Sequence, residues 1–280
     1  MKPVLVAGST NFDILAPVQR MPHEHEKLRC HRYVIAVGGS ASNTARGIAS
    51  GGIPSHLVSA VGDDPFGEIC LTKLARAGVN VDRVLKIADA ATGLAVVFSS
   101  GNSKRMITFS GPDRDSAYNE ISTDELAGLA HVHVTGEASA GLINLVERAH
   151  RANCSVSIEW NGRDMSQLAY GSTLNFMNAD ELRQLGDYHS ISIDEAARSL
   201  ARQIDGSVLI TRGADGAFWA TSDGEVVQQH TTRVDPVDRT GGGDAFDAGV
   251  IVAFLNGADK PSCLRAGLDA AIRAIMILGE

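Results

Sequence analysis

Short runs rich in valine and isoleucine alternate along this chain with longer segments of helical periodicity, and this alternation limits the possible folds more than any other feature. The first run is Val4–Ala7, and further runs occupy residues 56–61, 132–134, 155–158 and 207–210. Helical patterns separate them, at residues 42–50, at 66–77 before Gly78, and at Ile193–Ile204. Strands separated by helices predict a sheet of parallel strands joined by helical crossovers.

Two segments have a different pattern, residues 14–37 and 94–110. In the first, polar and apolar side chains alternate near residues 28–35, and in the second they alternate on both sides of a Ser-Gly-Asn turn. Such patterns predict antiparallel hairpin strands, which we expect to form a small β lid beside the main sheet. Because the chain has no internal repeat or linker-like stretch, a single domain over residues 1–280 is expected.

The composition indicates a globular protein with a sizeable core, since 44% of the residues are hydrophobic and 21% are charged. A net charge of −8 argues against nucleic acid as a partner, because nucleic-acid binding needs a clustered basic face. No signal-peptide pattern, membrane-length apolar run or charged membrane patch is present. The four cysteines are far apart and form no zinc or redox motif, which favours free thiols in a reducing compartment. We therefore expect a cytoplasmic enzyme.

A run of three glycines followed by an aspartate, Gly241-Gly242-Gly243-Asp244, precedes an apolar segment at residues 250–255. Glycines allow a ligand to approach the main chain closely, and N–H groups at a helix N-terminus form an anion site. On the first turn of that helix, Asp244 could take a proton from a hydroxyl group while the N–H groups hold a transferring phosphoryl group. A flexible turn with Asp244 as an ordinary N-cap is the alternative, and the four residues alone favour it.

The longer stretch around this run favours the catalytic interpretation. Residues 238–249 resemble the signature Asp-Thr-Thr-Gly-Ala-Gly-Asp-Ala-Phe of the ribokinase-like (PfkB) carbohydrate kinase family, and they match it at Asp238, Thr240, Gly241, Gly243, Asp244, Ala245, Phe246 and Gly249. They depart from it at Arg239, where threonine is usual, and at Gly242, where alanine is usual. No P-loop motif is present.

The resemblance covers nearly the whole chain and implies a fold and a reaction. The fold is an α/β three-layer sandwich, with a mostly parallel central sheet, helices on both faces and a small β-sheet lid. The reaction is transfer of the γ-phosphoryl group of ATP to an alcohol group, with Asp244 as the base. Gly241, Gly242 and Gly243 supply the N–H groups of the anion hole.

Two motifs in the first part of the chain match the acceptor site of that family. Asn11 and Asp13 follow the first strand, at the edge where α/β sheets bind ligands, and in extended backbone they point to one face. Amide and carboxylate groups suit sugar hydroxyls. Gly38 and Gly39 lead into Asn43 in the family's Gly-Gly-x-x-x-Asn form. An Asx turn and an N-capped helix start are the structural alternatives.

Three further positions bear on the acceptor. Glu137 follows a strand where the family often has Gly-Glu, and Arg163 lies in a family motif whose usual aspartate is Glu159 here. The resemblance implies substrate contacts for Glu137 and Arg163, whereas a solvated glutamate and a surface salt bridge are the alternatives. Ser40 stands where phosphofructokinase-type members tend to have lysine, which weakens the case for a phosphorylated sugar.

The later motifs concern the nucleotide and its metal ions. Asn178 and Glu181 match the family's Asn-x-x-Glu, which implies that Asn178 lies by the nucleotide and that Glu181 holds Mg²⁺ through water. A helix capping box is the alternative, and both roles are compatible. Nucleotide contacts are implied for Thr211, Gly213 and Gly216, as well as for Gly241 and Gly243. Asp238 and Thr240 could offer oxygens to a monovalent cation, K⁺ in many members.

The leading hypothesis is an ATP-dependent sugar kinase. A nucleoside kinase of the same fold is the nearest alternative and would need apolar groups such as Phe12 or Phe109 near the base, although core packing explains both. A non-catalytic sugar or nucleotide sensor is a third possibility. Two features favour it. Arg239 interrupts the family signature, and the sequence stops at Glu280, where family members continue into a loop that helps to line the adenine and a monovalent cation. A homodimer formed through the lid is a further expectation.

Overall fold

The predicted strand runs are confirmed in a computed structural model, which describes residues 1–100, 103–185 and 188–277. Its strands are β1 Val4–Ala7, β2 Asn11–Pro17, β3 Val34–Gly38, β4 Ser55–Gly62, β5 Val79–Ile87, β6 Gly93–Ser100, β7 Ser103–Phe109, β8 His131–Thr135, β9 Ser155–Glu159, β10 Leu174–Asn178, β11 Ser207–Thr211, β12 Ala217–Ala220 and β13 Val226–Gln229. Its α-helices are α1 Ser40–Ser50, α2 Pro65–Arg76, α3 Asp115–Glu120, α4 Thr123–Ala127, α5 Ala140–Arg151, α6 Ser166–Ala169, α7 Ala179–Gln184, α8 Ile193–Ile204, α9 Gly242–Leu255 and α10 Lys260–Ile275.

Within the described residues, nine strands form the main sheet in the order β13-β12-β11-β10-β9-β8-β1-β4-β5. The strands from β5 through β11 run parallel, and β12 runs antiparallel to both of its neighbours. Parallel strands place their carboxyl ends at one edge of the sheet, which is where open α/β folds bind ligands. The segments that follow β1, β8, β9, β10 and β11 therefore meet at this edge.

Helices cover both faces of this sheet, because successive residues of a buried strand point to opposite sides. Leu5 and Ala7 belong to the core that packs against α3 through α8. Val4 and Val6 belong to the core on the other face, with α1, α2, α9 and α10. The expected sandwich of helices on both faces of a mostly parallel sheet is confirmed. No helix of the described chain combines the length and the apolar character needed to cross a membrane.

A smaller sheet, in the order β3-β2-β6-β7, forms the lid. It has its own core of Leu15, Ala36, Ala95 and Val97. Its strand β2 begins at Asn11, before the lid segment that the sequence predicts. The prediction of strand structure near residues 28–33 is wrong, since no strand lies between β2 and β3. That stretch contains many exposed polar side chains, which have no apolar face to bury. The turn predicted between β6 and β7 falls on residues 101 and 102, outside the described residues.

Candidate active site

Two cavities meet at the carboxyl edge of the main sheet. The lid cavity, of about 530 Å³, lies between this edge and the lid. It brings together most of the residues singled out from the sequence, namely Asn11, Asp13, Gly39, Asn43, Arg163, Asn178, Glu181, Thr211, Thr240, Gly241, Gly243 and Asp244. The rear cavity, of about 270 Å³, is lined by Thr211, Gly213, Gly216, Gly242, Gly243 and the apolar side of α10. Thr211, Gly243 and Phe246 line both cavities.

Two helices begin at the lid cavity, and each has a glycine at its N-cap. Gly39 precedes α1 with φ of 92°, and Gly241 precedes α9 with φ of 76°. Both values lie in the region that favours glycine. Among the described residues neither helix has a side-chain cap, so no side chain there satisfies the first N–H groups of α9. This end of α9 is therefore suited to bind an anion.

The carboxylate of Asp244 lies in the first turn of α9 and is partly buried. Asn43 Nδ2 on α1 donates a hydrogen bond of 2.8 Å to Asp244 Oδ2. Burial raises the pKa of Asp244 to about 6, although hydrogen bonds from Asn43 and Ser40 and the charge of Arg46 lower it. The carboxylate is thus mostly ionised at pH 7 but more basic than an exposed aspartate, which suits a general base.

Asn11 and Asp13 project from β2 into the lid cavity, as their spacing predicts. Neighbouring strands make room for them with glycines, since a Cβ atom on Gly38 would lie 2.1 Å from Asp13 Oδ2 and one on Gly93 would lie 2.3 Å from Asn11 Oδ1. Burial raises the pKa of Asp13 to about 6, against the lowering effect of Lys104. Gly38, predicted as part of the acceptor site, therefore contributes by leaving space for the side chain of Asp13.

Apart from Asp247 Oδ2, two buried oxygens at this site have no hydrogen-bond partner within the described protein, Asp13 Oδ1 and Asn43 Oδ1. Both are acceptors, and a buried acceptor without a partner costs free energy of about 1–3 kcal/mol. A ligand with hydroxyl donors would satisfy both.

The inner face of the lid over the cavity is formed by small, polar and flexible side chains. Ala95, Met106 and Thr108 line the cavity, and Lys104 Nζ donates to Thr240 Oγ1 in the signature stretch. Phe12 is 2% exposed and stacks on Phe66 at 4.4 Å between ring centroids. Neither Phe12 nor Phe109 is among the lining residues, so the two candidate base-stacking side chains lie elsewhere.

Sequence reasoning missed a buried pair of acids on the cavity floor. Glu159 ends β9, Asp247 lies one turn after Asp244 on α9, and the two carboxyl groups are close enough for each to affect the pKa of the other. The two residues are only 9% and 2% exposed. Burial raises the pKa of Glu159 to about 8, and burial together with Glu159 raises the pKa of Asp247 well above its usual value. Two buried carboxylates in contact cannot both ionise, so the pair retains a proton at pH 7.

Asn178 and Glu181 form a capping box at the start of α7, as the structural alternative predicts. Asn178 Oδ1 accepts from the N–H of Glu181 at 2.9 Å, and Glu181 Oε2 accepts from the N–H of Asn178 at 2.8 Å. Both residues also line the lid cavity. Burial raises the pKa of Glu181. The box orients the carboxylate without occupying all of its acceptor sites, so the residues fit a water-mediated Mg²⁺ site.

Arg163 reaches the lid cavity, whereas Glu137 is not among its lining residues. The two side chains form an ion pair of 3.3 Å and are 49% and 72% exposed. An exposed pair of this kind contributes about 0–1 kcal/mol to stability. The surface salt bridge that the sequence left open is therefore present.

Asp238 and Thr240 form a closed turn ahead of Gly241. Asp238 Oδ1 accepts from both the N–H and the hydroxyl of Thr240, at 3.0 and 2.7 Å. Gly38, Asp238 and Thr240 line a small recess next to Asp13 and Asn43. Asp238 Oδ1 is engaged in this turn, but the main-chain carbonyl oxygens of Asp238 and Thr240 can still accept further contacts. The two residues therefore fit a part of a monovalent-cation site.

Comparison with known proteins agrees with this geometry. Residues 1–276 match the model of the pfkB family carbohydrate kinases. The chain belongs to this family. An ATP-dependent ribose-1-phosphate kinase of Halopiger xanaduensis is 29% identical over 93% of this chain and 88% of its own length. A nucleoside kinase of Methanothermobacter thermautotrophicus is 26% identical over 94% of this chain and 85% of its own.

The fold is similar to that of Arabidopsis thaliana ribokinase in complex with ribose and ATP, with a TM-score of 0.84 and 24% identity. The match covers 99% of this chain and 94% of that one. The ribokinase-like fold expected from the signature stretch is thus confirmed, as is the expectation of a phosphotransferase that acts on an alcohol group.

Proposed function

We propose that this protein transfers the γ-phosphoryl group of ATP to a hydroxyl group of a small sugar. The observation that carries the proposal is the position of Asp244, a partly buried carboxylate with a raised pKa on the first turn of α9, which has no side-chain cap. The adjacent Gly243 lines both cavities. A base and an anion-binding helix end therefore lie where an acceptor and a phosphoryl donor would meet.

The unpartnered acceptors of the lid cavity support a polyol as the acceptor. Asp13 Oδ1 and Asn43 Oδ1 both need donors, and sugar hydroxyls can donate to one group while accepting from another. Asn11 adds an amide on the same face of β2. A hydroxyl group next to Asp244 would complete the set.

In the proposed reaction, Asp244 accepts the proton of the sugar hydroxyl as its oxygen forms a bond to the γ-phosphorus. The bond between that phosphorus and the β–γ bridging oxygen breaks, and ADP leaves with the electron pair. The N–H groups at the start of α9 stabilise the charge on the transferring group. Removal of one such donor elsewhere has cost about 3 kcal/mol.

ATP would lie in the rear cavity, with its phosphates toward Gly242 and Gly243. Thr211, Gly213 and Gly216 line its other side. When bound with ATP, Mg²⁺ would neutralise phosphate charge. Glu181 would hold it through water while Asn178 fixes the orientation of Glu181. Asp238 and Thr240 would contribute oxygens to K⁺.

A nucleoside is the second candidate acceptor. Met106 supports it, since this flexible apolar side chain lines the lid cavity and could cover a base. The nucleoside kinase among the relatives supports it too. The sugar is favoured because polar and small side chains, Asn11, Asp13, Ala95 and Thr108, make up the rest of the inner face of the lid.

We also propose that two copies associate through their lids in the cytoplasm. Ile107 and Phe109 on β7 are each 56% exposed and do not line the lid cavity, and exposed apolar side chains on a sheet support a contact between proteins. The cysteines of the described chain are free thiols, which suits a reducing compartment.

Turnover of ATP across a panel of pentoses, hexoses, sugar phosphates and nucleosides tests the proposal. We expect ADP formation that depends on one or a few free sugars. ADP formed only with nucleosides would favour the second candidate. Acceptor binding by calorimetry without any turnover would refute a kinase and favour a sensor.

A further inference from the structure

We propose that Arg239 binds the phosphate groups of the nucleotide and replaces a neutral residue of the family signature with a charged contact to the phosphoryl donor. The inference rests on the proposed function, since it concerns the same rear cavity. It assigns a role to the residue at which the sequence departs most clearly from its family.

The first argument is position. Arg239 lines the rear cavity together with Gly242 and Gly243, the residues that open α9. Its neighbours in the chain, Asp238 and Thr240, line the recess on the other side. Arg239 therefore faces the cavity proposed for the nucleotide, whereas Asp238 and Thr240 face the acceptor side.

The second argument is that the backbone on both sides of Arg239 is anchored. The N–H of Asp238 donates to the carbonyl of Ile275 at 3.1 Å. The N–H and the hydroxyl of Thr240 both donate to Asp238 Oδ1. Because these bonds fix the residues before and after it, the guanidinium group is held near one end of the cavity by its backbone.

The third argument is charge. Although the protein has a net charge of −8, the described residues that line the rear cavity include two arginines and no acidic residue. The lid cavity has the opposite character, with Asp13, Glu159 and three further carboxylates in its lining. Triphosphate charge is thus attracted to the rear cavity.

The two arginines of the rear cavity differ in their partners. Arg233 pairs with Asp215 at 3.7 Å. Arg239 is exposed and makes no hydrogen bond or ion pair with any other residue of the described chain. A guanidinium group without a protein partner, beside an uncapped helix N-terminus, is suited to bidentate contact with phosphate.

Binding of adenosine, ADP and ATP to Arg239→Thr tests this inference without any acceptor present. We expect the Kd for ADP and ATP to rise about ten- to hundredfold, the effect of losing one charged hydrogen-bonding partner, while the Kd for adenosine is unchanged. Arg239→Lys should recover a part of the loss. The matched control is Arg76→Thr, which removes an exposed arginine on α2 that lines neither cavity and should bind all three ligands like wild type.

The outcomes separate the two proposals. If wild type binds ATP but Arg239→Thr binds ADP and ATP equally well, the role of Arg239 is refuted and the kinase proposal stands. Equal losses for adenosine and ADP would also refute it, because they would indicate a disturbed base site. If wild type binds none of the three ligands, both proposals fail. A thermal unfolding curve like that of wild type excludes misfolding of the variant as the cause.

Discussion

Asn43→Ala should shift the pH dependence of catalysis toward alkaline pH. The amide of Asn43 donates to Asp244 at 2.8 Å and stabilises its ionised form. A hydrogen bond to a charged group is worth about 1.5–3 kcal/mol, and one pKa unit corresponds to about 1.4 kcal/mol. Loss of the bond should therefore raise the pKa of Asp244 by about 1–2 units from its value of about 6.

This shift has a measurable size at neutral pH. A base with a pKa of about 6 is about nine-tenths ionised at pH 7, and one with a pKa of about 7.5 is roughly one-quarter ionised, so activity at pH 7 should fall about fourfold from ionisation alone. The assay is kcat/KM for the sugar between pH 5 and 9, fitted for its acid limb. Near pH 9 Asp244 is ionised in both proteins, so the part of the loss in kcat/KM that comes from its protonation should disappear.

Asn11→Ala is the matched control, because it removes an amide from the lid side of the same cavity without a bond to Asp244. It should raise KM and leave the acid limb in place. Asp13→Asn separates the two carboxylates whose pKa values are raised to about 6. The reasoning would be refuted if the acidic fall in kcat/KM of Asn43→Ala had the same midpoint pH as that of wild type. It would also be refuted if this acidic fall disappeared in Asp13→Asn.

Three further predictions concern the surroundings of the base. Gly38→Ala should raise KM for the sugar at least tenfold with nucleotide affinity unchanged, because its Cβ would occupy the place of the Asp13 carboxylate; an unchanged sugar KM would contradict this. The free energy of unfolding, measured by denaturant titration, should fall as pH rises from about 4.5 to about 8, since the folded protein holds a proton on Glu159 that the unfolded chain releases. Glu159→Gln should flatten this fall, and an equal slope in both proteins would exclude the shared proton with Asp247. Glu181→Gln should raise the Mg²⁺ concentration needed for half-maximal turnover, and an unchanged Mg²⁺ requirement would remove Glu181 from the metal site.

The parts of the site that could be predicted from sequence are those contained in short, local patterns. The glycine run at the start of α9 determines the local backbone and the anion-binding end of that helix. Asn11 and Asp13 share a face because residues two apart in a strand point to the same side. Five strands of the main sheet, β1, β4, β8, β9 and β11, are predicted because each is a short apolar run, whereas β5, β10, β12 and β13 are not predicted. The sequence pattern predicts that the lid begins at residue 14, whereas β2 begins at Asn11, because its polar residues face a cavity and interrupt the apolar pattern.

The rest depends on contacts between distant segments. The pair of Glu159 and Asp247 joins the end of β9 to the second turn of α9. The sequence around each residue does not indicate that the other will lie next to it. The only signal in the sequence was the glutamate in place of the family's aspartate at position 159. Phe12 is a candidate for the apolar group that a nucleoside base would need, but its ring is buried and packs against Phe66 on α2, as the core-packing alternative predicts.

The reaction assigned to Asp244 is tested most directly by single-turnover phosphoryl transfer in Asp244→Asn, together with calorimetric binding of ADP and the sugar. The substitution keeps the size of the side chain and removes its basicity. We predict nearly unchanged binding and a rate that falls about 100- to 10,000-fold, the usual contribution of a general base. A rate within a few-fold of wild type, with both ligands bound, would contradict the assignment of Asp244 as the base.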